Sequence, residues 1–302
     1  MYVLFIFIFL STLPNIESSQ CSKNCSFQGL QLNSSFPSDI CSISKSYDDT
    51  KQQCIVKLTI DFTTGLVNGS FNAENRSVLI DDRLTIETIF ALNDTSVIAN
   101  IRYHCSVSDY CDIDFVSETL SSNWSAIQVQ PIREKLVSRL YNQNNTDPIK
   151  CFSNNSCLQN ESFCFVTYVY QQSSESSTVT GRCQHINNSL KVQWIQLYQP
   201  RGIGKSLIEG VTYYCNTPIC GYNTTAIEIF QMLSHEYILP INLSVINVTT
   251  TPTPTKTSSS IATSKSTLIT STTISNDAPY LFVNFFNTLM SSFLITKYFS
   301  LL

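Results

Sequence analysis

The chain has 302 residues, of which 18 are basic and 22 acidic, so its formal net charge is −4. This acidic balance argues against a nucleic-acid-binding protein, which needs a basic surface. Three histidines leave little material for acid–base catalysis or metal ligation.

The N-terminus has the pattern of a secretory signal peptide. Residues 2–10 are apolar, and Ser18 and Ser19 supply small residues just before Cys21. An apolar stretch of this length is too short to span a bilayer, and small residues mark a cleavage site. We therefore predict that residues 1–19 are a signal peptide.

The twelve cysteines fall into two sets of six that follow the same spacing. Cys54 and Cys105 are 51 residues apart, and so are Cys164 and Cys215. The residues beside these cysteines also agree, which gives a period of 110 residues. Self-similarity at a fixed offset indicates two tandem copies of one small domain. We predict module 1 over 20–122, a linker over 123–147 and module 2 over 148–246.

Each copy has strong strand patterns. Apolar and polar residues alternate over 56–62 and 97–103, and 163–170 is a run of aromatic and β-branched residues. Long polar connections and scarce glycine favour antiparallel β modules, so the predicted fold class is all-β. The best helix candidate is Ala226–Leu233. Copies of about 100 residues have small cores, so we expect disulfide bonds to matter.

Cysteines and sequons together indicate an oxidising, extracellular compartment. Thirteen Asn-x-Ser/Thr sequons predict N-glycosylation at exposed positions. They are Asn24, Asn33, Asn68, Asn75, Asn93, Asn123, Asn144, Asn154, Asn160, Asn187, Asn223, Asn242 and Asn247.

The C-terminal part predicts a tethered protein. From Thr249 to Ser275, 18 of 27 residues are Ser or Thr, so we assign a disordered, O-glycosylated stalk to 247–278. The apolar tail over 279–302 lacks the basic cluster that follows a transmembrane helix. It fits the signal for a glycosylphosphatidylinositol (GPI) anchor, and a single-pass helix is the alternative. The candidate attachment residues are Asn276 and Ser271.

The segment Tyr213–Cys220 resembles the closing motif of the lymphocyte-antigen-6/urokinase-receptor family of three-finger domains. In that family an extended strand ends in a cysteine that closes a four-residue loop, as Cys215 and Cys220 do here. The family usually has an asparagine after the last cysteine, where this chain has Asp112 in copy one and Gly221 in copy two. The resemblance implies three-finger-like modules over about 20–245.

The resemblance also implies a disulfide pairing. In copy two it gives Cys151–Cys164, Cys157–Cys183 and Cys215–Cys220, and in copy one Cys105 pairs with Cys111. The other four cysteines of copy one have two alternatives: Cys21–Cys54 with Cys25–Cys41, or Cys21–Cys25 with Cys41–Cys54. The first follows the family more closely, whereas the second follows the 110-residue offset.

Three residue groups carry weak chemical signals. Arg201–Ser206 is similar to the end of a phosphate-binding loop, but the required earlier glycine is missing. His104, Cys105 and Cys111 are spaced more loosely than zinc ligands prefer, and a disulfide is favoured. The acidic run beside them lacks the glycine and glutamate of a calcium loop; it comprises Asp109, Asp112 and Asp114. We therefore predict no enzyme, no cofactor and no bound metal.

The sequence predicts a GPI-anchored glycoprotein on the extracellular face of the plasma membrane. Family members present exposed fingers to protein ligands, so the resemblance implies receptor, adhesion or modulator function with an extracellular protein as partner. We expect Gly65–Arg83 and Gln171–Thr180 to be loops that contact this ligand. The alternatives are a mucin-like structural coat protein and a single-pass membrane protein with the same ectodomain.

Overall fold

The computed structural model describes residues 20–37, 39, 41–44, 51–76, 82–106, 108–145, 147–151, 155–157, 163–185, 190–199 and 206–243. The predicted signal peptide, stalk, apolar tail and GPI attachment residues Asn276 and Ser271 lie outside these described residues. Four sequons also lie outside them: Asn154, Asn160, Asn187 and Asn247.

The described part of the chain is mainly antiparallel β-sheet, which confirms the predicted disulfide-rich, all-β fold class. The strands of copy one are β1 (Cys21–Lys23), β2 (Cys25–Gln31), β3 (Ser42–Ser44), β4 (Lys51–Asp61), β5 (Leu66–Arg76), β6 (Arg83–Ala91) and β7 (Val97–Cys105). Those of copy two are β8 (Lys150–Cys151), β9 (Asn155–Ser156), β10 (Phe163–Gln171), β11 (Ser176–Gln184), β12 (Lys191–Gln199) and β13 (Ser206–Cys215). The helices are α1 (Cys111–Ser121), α2 (Val129–Leu140) and α3 (Asn223–Glu236).

Strand β6 illustrates why these segments are extended. Its buried residues Leu84, Ile86 and Phe90 alternate with the half-buried Thr85 and Glu87. Successive side chains of a strand point to opposite faces of the sheet, so this alternation places one apolar face against a core.

Nine of the described strands form one antiparallel sheet in the order β11-β10-β13-β12-β6-β7-β4-β5-β2. Each copy contributes four corresponding strands, β4 to β7 in copy one and β10 to β13 in copy two. They pair in the same way, because β4 lies between β5 and β7, and β10 lies between β11 and β13. The repeat in the sequence is therefore a repeat in the topology.

The two copies meet where β6 pairs with β12, strands that hold the same place in their copies. The hairpin registers make Leu84 correspond to Val192, and hence Glu87 to Ile195. Glu87 and Ile195 are also direct partners across the junction. A pseudo-two-fold axis therefore passes between these two residues and relates the halves of a continuous sheet.

The helices pack on one face of this sheet. In copy one, Phe115 of α1 stacks on Tyr103 with ring centroids 4.3 Å apart. In copy two, Phe230 of α3 lies 5.4 Å from Trp194 and 4.6 Å from Tyr168. Trp194 is fully buried. Such aromatic pairs add about 0.5–1.5 kcal/mol each beyond the burial of their area.

All twelve cysteines are described, and all are paired. The bonds are Cys21–Cys54, Cys25–Cys41, Cys105–Cys111, Cys151–Cys164, Cys157–Cys183 and Cys215–Cys220. The predicted disulfide framework is thus confirmed. In copy one, the structure has the first of the two alternative pairings.

The segment 123–147, expected to be a linker, is folded. It contains a 3-10 turn at Trp124–Ala126 and the helix α2. One stripe of α2 is buried at intervals of three and four residues, and it comprises Val129, Ile132, Leu136 and Leu140. This amphipathic spacing drives the helix onto the core, so the segment belongs to the folded body.

The two segments expected to be loops are mainly strand in their described residues, so the prediction of loops is wrong, while their contact with a ligand stays a prediction. Strand β5 fills most of Gly65–Arg83, and β11 begins within Gln171–Thr180. The turn before β5 is short because Gly65 has a φ of 71° and its N–H donates to the Asp61 carbonyl at 2.8 Å. Polar residues on the solvent side of a strand have the composition of a loop, which explains the error.

Candidate binding face

The sheet has a second face, opposite the helices, on which most of the described side chains are half-buried or exposed. We call the central part of this surface the open face. It comprises Lys57, Thr59, Arg102, Asn100, Ile98, Thr85, Glu87, Ile89, Gln193, Ile195, Leu197, Ile208, Thr212, Phe165 and Tyr214. These side chains come from six adjacent strands, so they form one broad surface.

A polar row crosses the open face at the junction of the copies. Gln193 Nε2 donates to Glu87 Oε1 across the β6–β12 pair. Thr212 Oγ1 donates to Gln193 Oε1 at 3.4 Å, and Thr59 Oγ1 donates to Asn100 Oδ1 at 3.1 Å. These bonds orient the side chains of both copies around the pseudo-two-fold axis.

The copy-one half of the open face carries a pair of like charges. Lys57 in β4 and Arg102 in β7 are direct cross-strand partners. Partial burial lowers the pKa of Lys57, and the Arg102 charge lowers it further, while Glu74 opposes the shift. Like charges directly opposite each other repel across a sheet, and Glu74 offsets part of this repulsion at Lys57.

The copy-two half of the open face carries an apolar cluster. Ile195, Leu197 and Ile208 lie on adjacent strands β12 and β13, where Leu197 and Ile208 are direct partners. Farther along the sheet, Phe165 and Tyr214 have ring centroids 5.0 Å apart. The open face therefore has a basic pair on one side of the axis and an apolar cluster on the other.

Most of the sequons in the described residues lie at strand ends or near the helices, away from the centre of this surface. Among the described residues, eight sequon asparagines have described side chains, and all eight are exposed. They are Asn24, Asn33, Asn68, Asn93, Asn123, Asn144, Asn223 and Asn242. Strands β4, β6, β7, β10, β12 and β13 contain no sequon. Asn68 and Asn75 lie in β5, and Asn68 marks one border of the open face, because it is the direct cross-strand partner of Thr59.

The cysteine clusters offer no thiolate to a metal. The Sγ atoms of Cys54, Cys105 and Cys111 lie within 4.8 Å of one another, but all three cysteines are in disulfides. The same holds for a group in copy two, which comprises Cys151, Cys157 and Cys183. A metal ligates the deprotonated thiol, so these clusters are structural.

The residues that follow the last cysteine of each copy are structural too. Asp112 is fully buried, and its carboxylate accepts the Ser22 N–H at 2.7 Å and the Ile113 N–H at 2.9 Å. Burial raises the pKa of Asp112, although these hydrogen bonds oppose the shift. This carboxylate joins helix α1 to strand β1, so it is not part of a calcium loop. Of the segment similar to a phosphate-binding loop, only Ser206 is described, and it begins β13.

A partly buried carboxylate lies on the helix-covered face of copy two. Gln196 Nε2 donates to Glu209 Oε1 at 2.8 Å. Burial raises the pKa of Glu209, while the Gln196 hydrogen bond and the charge of His235 oppose the shift. A raised pKa in the folded state stabilises the protein at low pH, and this contribution is lost as the pH rises through it.

We therefore expect Glu209→Gln to raise the melting temperature at pH 7 and to leave it unchanged near pH 4, because glutamine resembles the protonated acid. Thermal unfolding measured between pH 4 and pH 8 tests this. Glu228→Gln is the matched control, since Glu228 is exposed on α3 and its side chain is 57% accessible. Melting curves of Glu209→Gln and wild type that differ equally at every pH would contradict the assignment.

The fold and the disulfides define a class: an antiparallel β-protein of the extracellular or secreted kind, because six disulfides persist only in oxidising compartments. Among the residues that the structure describes, none of the helices has the length and apolarity to cross a membrane. Comparisons of the chain with protein-family models, curated proteins and solved structures find no match.

Sequence reasoning missed the open face. Its members were visible as the polar half of alternating strands, for example Thr59 and Lys57 in β4. Their assembly into one surface depends on the β6–β12 pairing, which no local pattern specifies. The distribution of sequons along the chain was the available signal, because gaps in it coincide with these six strands.

Proposed function

We propose that this chain is an extracellular glycoprotein that binds a protein ligand through the open face. A GPI lipid holds it at the outer surface of the plasma membrane, and the Ser/Thr-rich stalk spaces the folded body from the bilayer. The proposal assigns no catalytic role to the extracellular part of the chain.

The distribution of sequons carries the proposal. N-linked glycans are bulky and keep the surface around them in water. The described sequons surround the open face at strand ends, in β5 and near the helices, and the six central strands are left clear. In a chain with thirteen sequons, a broad face whose six central strands contain no attachment site is the surface that remains accessible to a protein.

The chemistry of the open face indicates the kind of ligand. Ile195, Leu197 and Ile208 offer apolar area on one side of the axis, and Lys57 and Arg102 offer positive charge on the other. A ligand with an apolar patch beside acidic groups complements both halves. Its acidic groups would relieve the repulsion between Lys57 and Arg102, which adds specificity to the apolar contact.

A glycan placed on the open face tests the proposal. Arg102→Thr completes an Asn-x-Thr sequon at Asn100, whose side chain lies in the polar row. Arg102→Val removes the same charge without adding a sequon, and both residues suit a strand. Proximity labelling on intact cells that display the full chain identifies ligands, whose binding is then measured for each variant.

We expect Arg102→Val to weaken ligand binding and Arg102→Thr to abolish it, with occupancy of Asn100 verified by mass spectrometry. Leu197→Arg places a charged side chain in the apolar cluster of the open face, and it is expected to reduce binding as well. Equal binding by the wild type and all three variants would contradict a role for the open face.

The anchor and the alternative function have separate tests. Phosphatidylinositol-specific phospholipase C is expected to release the protein from expressing cells, whereas a single-pass form would stay bound. Shortening the stalk separates a receptor from a mucin-like coat protein. A receptor retains ligand binding after the stalk is shortened, and a coat protein loses its effect.

A further inference from the structure

A cleft of about 330 Å³ lies at one end of copy one, away from the open face. Its wall is aromatic: Phe62 and Trp124 have ring centroids 6.0 Å apart. Gln128 and Ser125 are exposed at the same cleft and supply polar groups. An aromatic wall with a few polar groups is the composition of a small-molecule site.

A sequon asparagine lines this cleft. Asn33, in the sequon Asn33-Ser34-Ser35, occupies a turn after β2 with a φ of 67°. The Trp124 N–H donates to Asn33 Oδ1 at 3.4 Å. In this contact the oxygen of the amide faces Trp124, whose N–H also donates to the Ser122 carbonyl at 2.9 Å. The amide nitrogen Nδ2, which is the atom that carries an N-glycan, lies on the side of the amide away from the Trp124 N–H.

We propose that the cleft is the binding site of the glycan on Asn33, so that its first N-acetylglucosamine packs against the half-buried Phe62, beside the buried Trp124. The C–H face of a sugar ring suits an aromatic surface, and its acetamido and hydroxyl groups suit glutamine and serine side chains. The cleft is therefore filled from within the molecule, and the modification stabilises copy one. This inference depends on the chain being a glycoprotein and is independent of the open face.

Substitutions at Ser35 separate the effect of the sugar on stability from the effect of the Asn33 side chain. Ser35→Ala abolishes the sequon but retains the Asn33 amide and its contact with the Trp124 N–H. Ser35→Thr retains the sequon. Ser70→Ala is the matched control, because it removes the sequon at Asn68, an exposed residue of β5 that does not line the cleft.

The test uses the full chain purified from glycosylating cells, with sites mapped by mass spectrometry and unfolding followed by tryptophan fluorescence. We expect Asn33 to be occupied in the wild type and Ser35→Ala to lower the melting temperature by about 2–4 °C, the shift typical of a modest interaction in a protein of this size. Ser35→Thr and Ser70→Ala should each stay within about 1 °C of the wild type.

Trimming the glycans to one N-acetylglucosamine should preserve the stability difference between the wild type and Ser35→Ala. Nuclear magnetic resonance should then show ring-current shifts on the protons of that sugar. If other sequons carry glycans and Asn33 does not, the proposed glycan site is wrong, whereas the proposal that the chain is a glycoprotein stands. Equal melting temperatures for Ser35→Ala and Ser70→Ala, with no ring-current shift, would overturn the proposed glycan site as well.

Discussion

Gly221→Ala is expected to prevent the accumulation of folded protein. A Cβ atom at this position would lie 2.7 Å from the Lys150 carbonyl oxygen, 2.8 Å from Cys164 Sγ and 2.9 Å from Cys151 Cα. None of these atoms moves easily, because two are backbone atoms and the third belongs to a buried disulfide. We expect a loss near or above the upper end of the roughly 1–3 kcal/mol that overpacking costs.

Secretion yield and the midpoint of denaturant unfolding measure this effect. Ser177→Ala, an exposed position on β11, is the control and should change the free energy of unfolding by less than about 0.5 kcal/mol. If Gly221→Ala matched the yield and midpoint of the wild type, the close approach of Gly221 to Cys151 would be wrong.

Removal of the Cys21–Cys54 disulfide should have the second large effect. The bond joins residues 33 positions apart and ties strand β1 to the centre of copy one. The double variant Cys21→Ala/Cys54→Ala releases this constraint from the unfolded chain, which costs roughly 3–4 kcal/mol for a loop of that length. Loss of Cys105–Cys111, with a separation of 6, should cost about 2 kcal/mol.

The comparison of the two double variants is the informative measurement, because both remove buried cysteines. Denaturant unfolding under oxidising conditions should rank the Cys21/Cys54 variant as the less stable of the two. The reverse ranking would indicate that the Cys105–Cys111 disulfide, which closes the short loop before α1, stabilises the protein by more than the loss of chain entropy predicts.

Strands and cysteine pairs were largely predictable from the sequence. Alternation over β4 and β7 is strong, and the shared 51-residue spacing reveals the repeat. Helix α3, which contains the predicted Ala226–Leu233, was also visible. The strands and α3 depend on local patterns, whose physical cause lies within a few residues, whereas the cysteine pairing was an expectation drawn from the family resemblance.

Helices α1 and α2 were missed for different reasons. The acidic start of α1, with Asp112 and Asp114, has the composition of a solvated loop, and this composition hid the helical spacing of the buried residues that follow. In α2 the signal was present as buried residues spaced by three and four, but Pro131 lies in its first turn. Proline is tolerated there because the first N–H groups of a helix have no partner within the helix.

The open face was beyond sequence reasoning because it depends on a long-range choice of partner. Strands β6 and β12 alternate like their neighbours, and nothing in either segment specifies that they pair. Once they do, Glu87 and Gln193 become neighbours although they are 106 residues apart in the chain. The two halves of the candidate site therefore come from segments about 100 residues apart in the chain.

The junction between β6 and β12 has a consequence for how such a chain arises. A single copy would have a bare edge strand, whose free N–H and C=O groups invite pairing with an identical edge. Two such molecules would join as an isologous homodimer, with the residue at the Glu87 or Ile195 position facing its own counterpart. The present protein has the geometry of that homodimer within one polypeptide. Its two halves can therefore differ in sequence, and each has its own surface chemistry.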